Sequence, residues 1–364
     1  MKLPEIEKLA DLYERRKEER ENKLRLFFLE KTQPFLVIQS PPGNIWGRCN
    51  SIEEIYRNNL VYFYDYLMND YTDDLPYLEP WMGVGVYASA FGCEYLWRED
   101  NAPDTYYRYH HLEEIKNISY PEWRSSPVMK QIVDCIVYFN EHTREKLPIV
   151  FTDTQSPFDT ATLILETTEF FTGCYTDPGV ICNFLQLITN LVIEFSNIQQ
   201  SLAGECGVYP GHIFPSMRWL KGIAVSDDNV AVSSVDINET IAMPFLQQLS
   251  DSFGGIAIHS CGNWSLTMNV YKQIKGLFMI DCAVDEACDP NPNDPVAVRN
   301  ALAGSGIIAK VRMGKNFDKI AHILEKLVCK DLQLIVQLDY DEQHHADLYQ
   351  HTVNLLEELY EKNS

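Results

Sequence analysis

The sequence predicts an α/β chain folded as a (β/α)8 TIM barrel with an N-terminal helical extension, and three observations carry that prediction. Short runs rich in Val, Ile and Leu alternate with amphipathic helical segments, the pattern of a parallel sheet buried on both faces. About eight such runs fit into the 364 residues, a length suited to one barrel. No Gly-rich nucleotide turn follows any of them, which sets aside the rival doubly wound open sheet.

The elements follow in order. Residues 1–30 form a charged helix with Leu9, Leu12, Leu24 and Phe27 among its apolar positions. A first short strand covers 34–39. Ser51 and Glu54 have capping-box spacing and open a helix carrying Ile55, Leu60 and Tyr64. A second strand is expected at 74–80. Residues 83–123, with Phe91-Gly92 and the Trp97–Asp100 group, read as a long aromatic loop over one face. Regularity returns with a helix over 128–145 and a strand over 148–152. Asp177-Pro178 reads as an N-cap and first-turn proline of a helix with Phe184, Ile188, Leu191, Val192 and Phe195 on one stripe. Strands at 222–226, 255–258, 276–280, 306–311 and 332–336 follow, with a helix near 238–252 and a last amphipathic helix using Leu348, Leu355 and Leu359. We take residues 1–60 as the extension and 61–364 as the barrel, in one domain.

Composition narrows the function. The net charge of -22 repels phosphate backbones and anionic membranes, so nucleic acid is a poor partner. A basic protein, or a neutral or cationic small ligand, fits better. The 10 cysteines are scattered and form no disulfide framework. The N-terminus lacks a signal-peptide core, and no run approaches the ~18 apolar residues of a membrane span. A cytoplasmic protein is expected, with most thiols buried as small hydrophobes.

In such a barrel the active site lies at the carboxyl ends of the strands. Polar residues collect there: Asp153, Asp227, Asp228, His259, Cys261, Asp281, Cys282, Arg312 and Asp339. The run His259-Ser-Cys261-Gly262-Asn263 is the most informative. Side chains two apart on an extended segment point the same way, so His259 and Cys261 aim two zinc-competent donors at one spot. Gly262 lets the chain turn there. The plainer alternative is a core histidine beside an inert thiol.

These residues resemble the uroporphyrinogen decarboxylase superfamily of barrels over roughly residues 60–360. The resemblance rests on Phe91-Gly92, on residues 152–157 (Thr-Asp-Thr-Gln-Ser-Pro), on Ser226-Asp227-Asp228 and on the His259–Asn263 block. That last block is similar to the branch of zinc-dependent methyltransferases that move methyl groups from corrinoid proteins to thiols. The resemblance implies that His259 and Cys261 are zinc ligands. It also implies a third cysteine after the last strand, where this chain has Asp339 and no cysteine. Cys282 is the preferred substitute. Cys288 could reach back, Cys329 lies toward the wrong end, and Asp339 or Glu239 could supply oxygen. The Arg-containing motif of the decarboxylase branch is missing; the matching early region holds only Arg48, in another context.

The expected function is therefore a zinc-dependent methyltransferase that uses a methylated corrinoid protein as donor and a small thiol as acceptor. Asp153, Asp227, Asp228, Asn263, Trp264 and Arg312 are candidate substrate contacts. Asp227-Asp228 also reads as a cap for the following helix, and Trp264 as packing beside the site. A cofactor-free decarboxylase of the porphyrinogen type is the alternative, and a non-catalytic barrel binding a corrinoid or another ligand is a third. The first 60 residues are suited to homodimer formation or to covering the barrel base.

Overall fold

The computed structural model describes residues 4–39, 51–97 and 103–363, so Arg48 and Cys49 lie outside the described residues, as do three members of the Trp97–Asp100 group. The strands are β1 (Phe35–Gln39), β2 (Tyr95–Leu96), β3 (Asp104–Thr105), β4 (Ile223–Ser226), β5 (Ile256–His259), β6 (Leu277–Ala283), β7 (Ile308–Met313) and β8 (Leu334–Leu338). Six of them make one parallel sheet in the order β1-β8-β7-β6-β5-β4, and β2 pairs with β3 in a separate hairpin. Two extended segments close the ring. Leu78 bridges Ile149 and Gln155 bridges Ser226, both in parallel. The Asp73 amide donates to the Val37 carbonyl at 3.0 Å, joining the segment that holds Leu78 to β1. The result is the (β/α)8 barrel.

The strands expected at 74–80 and 148–152 are therefore present as extended chain with single bridges rather than as full ladders. Pro76 and Pro80 remove amide donors from the first. In the second, the backbone pairing of residues 148–150 stops at Thr152, where side chains take over: the Thr152 amide donates to Gln199 Oε1 at 2.9 Å, and Thr154 Oγ1 donates to the Thr152 carbonyl at 2.9 Å.

Register sets which side chains meet inside the ring. Ser226 pairs with His259, His259 with Asp281, and Asp281 with Lys310. Paired residues on parallel neighbours point to the same face, so these side chains share one layer of the interior. Cys282, one residue beyond Asp281, faces the surrounding helices.

The outer layer accounts for the rest. The helix Ile6–Arg25 and the π-helical turn Leu26–Glu30 bury Leu9, Leu24 and Phe27. Gln333 donates to the Phe27 carbonyl at 2.9 Å, tying this segment to the start of β8. β1 lies inside the stretch taken as extension, yet it pairs with β8 along its whole length. The region read as a long loop holds short helices at Val86–Ala90 and Leu112–Ile115 besides the hairpin. Its Tyr87, Phe91 and Trp123 rings pack on Phe184 and Phe195.

Those two residues belong to the helix Pro178–Ala203, which overturns one expectation. With its C-terminal turn it is long and apolar enough to cross a membrane, at a mean hydropathy of 1.4. Its stripe of Ile181, Phe184, Leu185, Ile188, Leu191, Val192 and Phe195 is buried against the fold. Asp177 precedes it but makes no side-chain cap. Ser51 does cap, accepting from the Glu54 amide at 3.2 Å.

Candidate functional site

β5 ends in His259, and the chain turns at Gly262, whose φ of 71° suits glycine. A Cβ there would sit 3.0 Å from the Ala231 Cβ. The turn is held from outside: Asp289 Oδ2 accepts from the Gly262 amide at 2.7 Å, and Asn293 Nδ2 donates to the Gly262 carbonyl at 3.0 Å. So fixed, His259 and Cys261 converge, with Nε2 and Sγ 3.6 Å apart. Asp228, just past the end of β4, completes the group. Its Oδ1 accepts from the Cys261 amide at 2.7 Å and lies 3.8 Å from His259 Nε2. Among the described residues these three form a set whose donor atoms all lie within 4.8 Å of one another.

Behind them sits a buried ionic cluster. Asp281 is fully buried, and its Oδ1 lies 3.0 Å from His259 Nδ1 and 2.9 Å from Arg312 Nε. Its Oδ2 accepts from Lys310 Nζ at 2.9 Å, and Lys310 is itself fully buried. Burial opposes ionisation of Asp281, but Lys310, Arg312 and His259 together hold its carboxyl far below the usual range. With Nδ1 occupied by Asp281, the Nε2 of His259 is presented to Cys261 and Asp228. Partial burial, with Asp228 adding to it, raises the Cys261 thiol to about 11, while Arg312 pulls the other way.

The group opens into a cavity of about 570 Å³ that His259, Cys261 and Arg312 share with Trp81, Ile213, Met313 and Gln337. Its floor holds Asp153 and His212. His212 Nδ1 is 2.8 Å from Glu79 Oε1, and its Nε2 is 3.6 Å from Asp153 Oδ1. Burial lowers the His212 pKa, but Asp153 and Glu79 outweigh it and raise the ring to about 9.

The other sequence candidates divide into two groups. Asp153, Arg312, Cys288 and Asp339 line the cavity. Asp227 does not; it is fully buried and accepts from Ser156 Oγ and Tyr271 OH, both at 2.7 Å. The cap expected of Asp227-Asp228 is supplied instead by Asp159, which accepts from the Asp228 amide at 2.5 Å and the Asn229 amide at 2.9 Å. Asn263 braces the turn through the Pro292 carbonyl at 3.1 Å, and Trp264 is buried packing. Cys282, preferred from the sequence as the third donor, is fully buried on the helix-facing side of β6 and is not brought to the group; Asp228 stands there. Glu239 is exposed on the turn Asn238–Ala242.

His212, Glu79 and Lys310 escaped the sequence reading. Lys310 left a signal, a single charge inside the run Ile307-Ile308-Ala309 and Val311. Glu79, between Leu78 and Pro80, left a similar one. His212 left none.

The donor chemistry can be tested against zinc. Zinc–sulfur and zinc–nitrogen bonds of about 2.3 and 2.0 Å at a tetrahedral angle place sulfur and nitrogen about 3.5 Å apart; here they are 3.6 Å apart. A nitrogen, a sulfur and a carboxylate oxygen, with a carboxylate behind the imidazole, suit that ion. The residues present fit it.

A closed parallel barrel with polar side chains gathered at the carboxyl ends of its strands defines the class of protein. The family model described as uroporphyrinogen decarboxylase (URO-D) matches residues 82–208, a stretch that ends before the His259 block. Among solved structures, the chain is similar to a methyltransferase from Methanosarcina mazei, at 15% identity over 85% of this chain and 86% of that one, with a TM-score of 0.59. A DUF72 family protein from Enterococcus faecalis V583 aligns at 12% identity over 62% of this chain and 84% of that one, with a TM-score of 0.26 that carries no weight. No curated protein matches. The chain resembles the uroporphyrinogen decarboxylase superfamily, and the likeness to the Methanosarcina mazei structure speaks for the barrel fold.

Proposed function

We propose that this protein is a zinc-dependent methyltransferase that passes a methyl group from a methylated corrinoid, carried by a partner protein, to a small thiol. The observation that carries this reading is the convergence of His259 Nε2, Cys261 Sγ and Asp228 Oδ1 at the cavity mouth, with Asp281 behind His259. His259, Cys261 and Asp228 would hold the ion. When bound, zinc supplies Lewis acidity that lowers the pKa of an incoming thiol.

The chain's own residues have definite tasks. Asp281 fixes the His259 ring and its tautomer. Arg312, against Asp281 and close to Cys261, favours the thiolate form of Cys261. Trp81, Ile213 and Met313 give the cavity apolar walls. In the reaction the acceptor's sulfur forms the S–CH3 bond and its proton leaves to solvent. The cobalt–carbon bond breaks with its electron pair remaining on the corrinoid.

The decarboxylase alternative needs free cations for several substrate carboxylates. Among the described residues, Lys310, Arg312 and His212 each face a carboxylate of the protein itself. Zinc analysis of protein purified without added metal, set beside His259→Ala, tests the metal. Following methylcobalamin demethylation with a panel of thiols tests the reaction. Equal zinc in the variant would remove the first half, and no turnover with any thiol would remove the second.

A further inference from the structure

Resting on the reading above, we propose that the cavity floor is a binding subsite for a protonated amine, so that the acceptor is an aminothiol whose ammonium group docks on Asp153. Asp153 is 4% exposed and lines the same cavity as His259 and Cys261. Its Oδ1 accepts from Gln155 Nε2 at 2.9 Å and faces His212 Nε2 at 3.6 Å. Among the described residues no hydrogen bond reaches its Oδ2. A carboxylate oxygen open to a cavity is placed to accept from a donor that enters it.

The cations around the cavity are already committed. Lys310 is taken by Asp281. Arg312 is ion-paired with Asp281, its Nε 2.9 Å from Oδ1, and its Nη2 donates to the Ser260 carbonyl at 3.3 Å. His212 is held between Glu79 and Asp153. An acidic tail on the acceptor therefore meets cations that each already face a carboxylate of the protein, whereas an ammonium meets Asp153, which shares the single imidazole of His212 with Glu79.

Gln337 adds a second acceptor. It is half-buried and lines the same cavity, and no hydrogen bond reaches its side chain among the described residues. Its amide oxygen is a further acceptor in the cavity, and an ammonium carries three donors where a neutral hydroxyl offers only one. The net charge of -22 also raises the local concentration of cations over anions. The amine is not consumed; it orients the sulfur toward the Cys261 end of the cavity.

The test uses protection of Cys261, read peptide by peptide as its rate of alkylation by iodoacetamide in chelator-treated full-length protein. Three compounds of matched length serve as probes: 2-(methylthio)ethylamine, 2-(methylthio)ethanol and 3-(methylthio)propionate. The amine should protect at a concentration roughly 10- to 100-fold lower than the other two, the span that one charge-assisted hydrogen bond contributes. Asp153→Asn should bring the three together. Equal or better protection by the carboxylate, no protection by any probe, or an unchanged amine preference in the variant would overturn the subsite. The wild-type comparison needs no variant to fold. Because alkylation requires neither zinc nor a methyl donor, failure of methyl transfer with every thiol would sink the proposed reaction while this measurement still decided the amine site.

Discussion

Replacing Asp281 by Asn should be among the most damaging single changes in the barrel, because it leaves the fully buried Lys310 without the carboxylate that offsets its desolvation. Asp281 and Lys310 are both fully buried and 2.9 Å apart, and Arg312 lies 2.9 Å from the other carboxylate oxygen. At an effective dielectric near 20, opposite charges about 3.5 Å apart attract by about 5 kcal/mol per pair. Desolvation has already cost much of that, so the loss on removing one partner should be about 3–5 kcal/mol. Urea unfolding of the metal-free protein at pH 7 measures it as a fall in midpoint with the slope unchanged. The physical cause has its own check: Asp281→Leu combined with Lys310→Met removes both charges and should recover at least about 2 kcal/mol of the loss. Asp281→Asn within about 0.5 kcal/mol of wild type, or a double variant no more stable than the single, would refute the argument. The carboxylate's depressed pKa fixes the pH range: its contribution is present above the ordinary carboxylate value and is lost only as pH falls well below it.

His212 gives the opposite sign. Its pKa, raised to about 9 in the fold, means that its stabilisation is whole below about pH 6.5 and fades as pH rises through 9. The change is at most about 3 kcal/mol; urea midpoints from pH 6 to 10 should fall in wild type and stay flatter in His212→Gln. Cys282→Ser should keep wild-type zinc, while Cys261→Ser and Asp228→Ala should bind it at least about tenfold more weakly in competition with a chromophoric chelator. If Cys282→Ser lost the metal, the donor set would be wrong. Gly262→Ala should cost about 1–2 kcal/mol through its positive φ and the Ala231 contact, with zinc affinity falling alongside stability; a neutral result would show that the turn relaxes freely.

The barrel was legible because buried parallel strands have a distinct composition. The runs that became β4 to β8 are apolar nearly throughout and end in polar residues, so both the fold and the rim could be read from them. The segments at 74–80 and 148–152 were found but over-regularised, since prolines at 76 and 80 and side-chain partners such as Asn59 and Gln199 interrupt their ladders. The helix Pro178–Ala203 exposes the limit of hydropathy: an apolar stripe wide enough to be buried by several neighbours also passes as a membrane span.

By itself, the sequence determined the alternation of strand and helix, the end of the barrel where polar groups gather, and the shared direction of His259 and Cys261, which follows from the two-residue period of an extended chain. Only the tertiary structure decided which group stands third beside them. Cys282 and Asp281 are neighbours in sequence, yet the same period turns one to the helices and the other to the ring's interior. Asp228 reaches the site because parallel β4 and β5 pair Ser226 with His259. The union of Glu79, His212 and Asp153 likewise exists only once the ring has closed, since contacts between residues so far apart along the chain are set by packing rather than by local pattern.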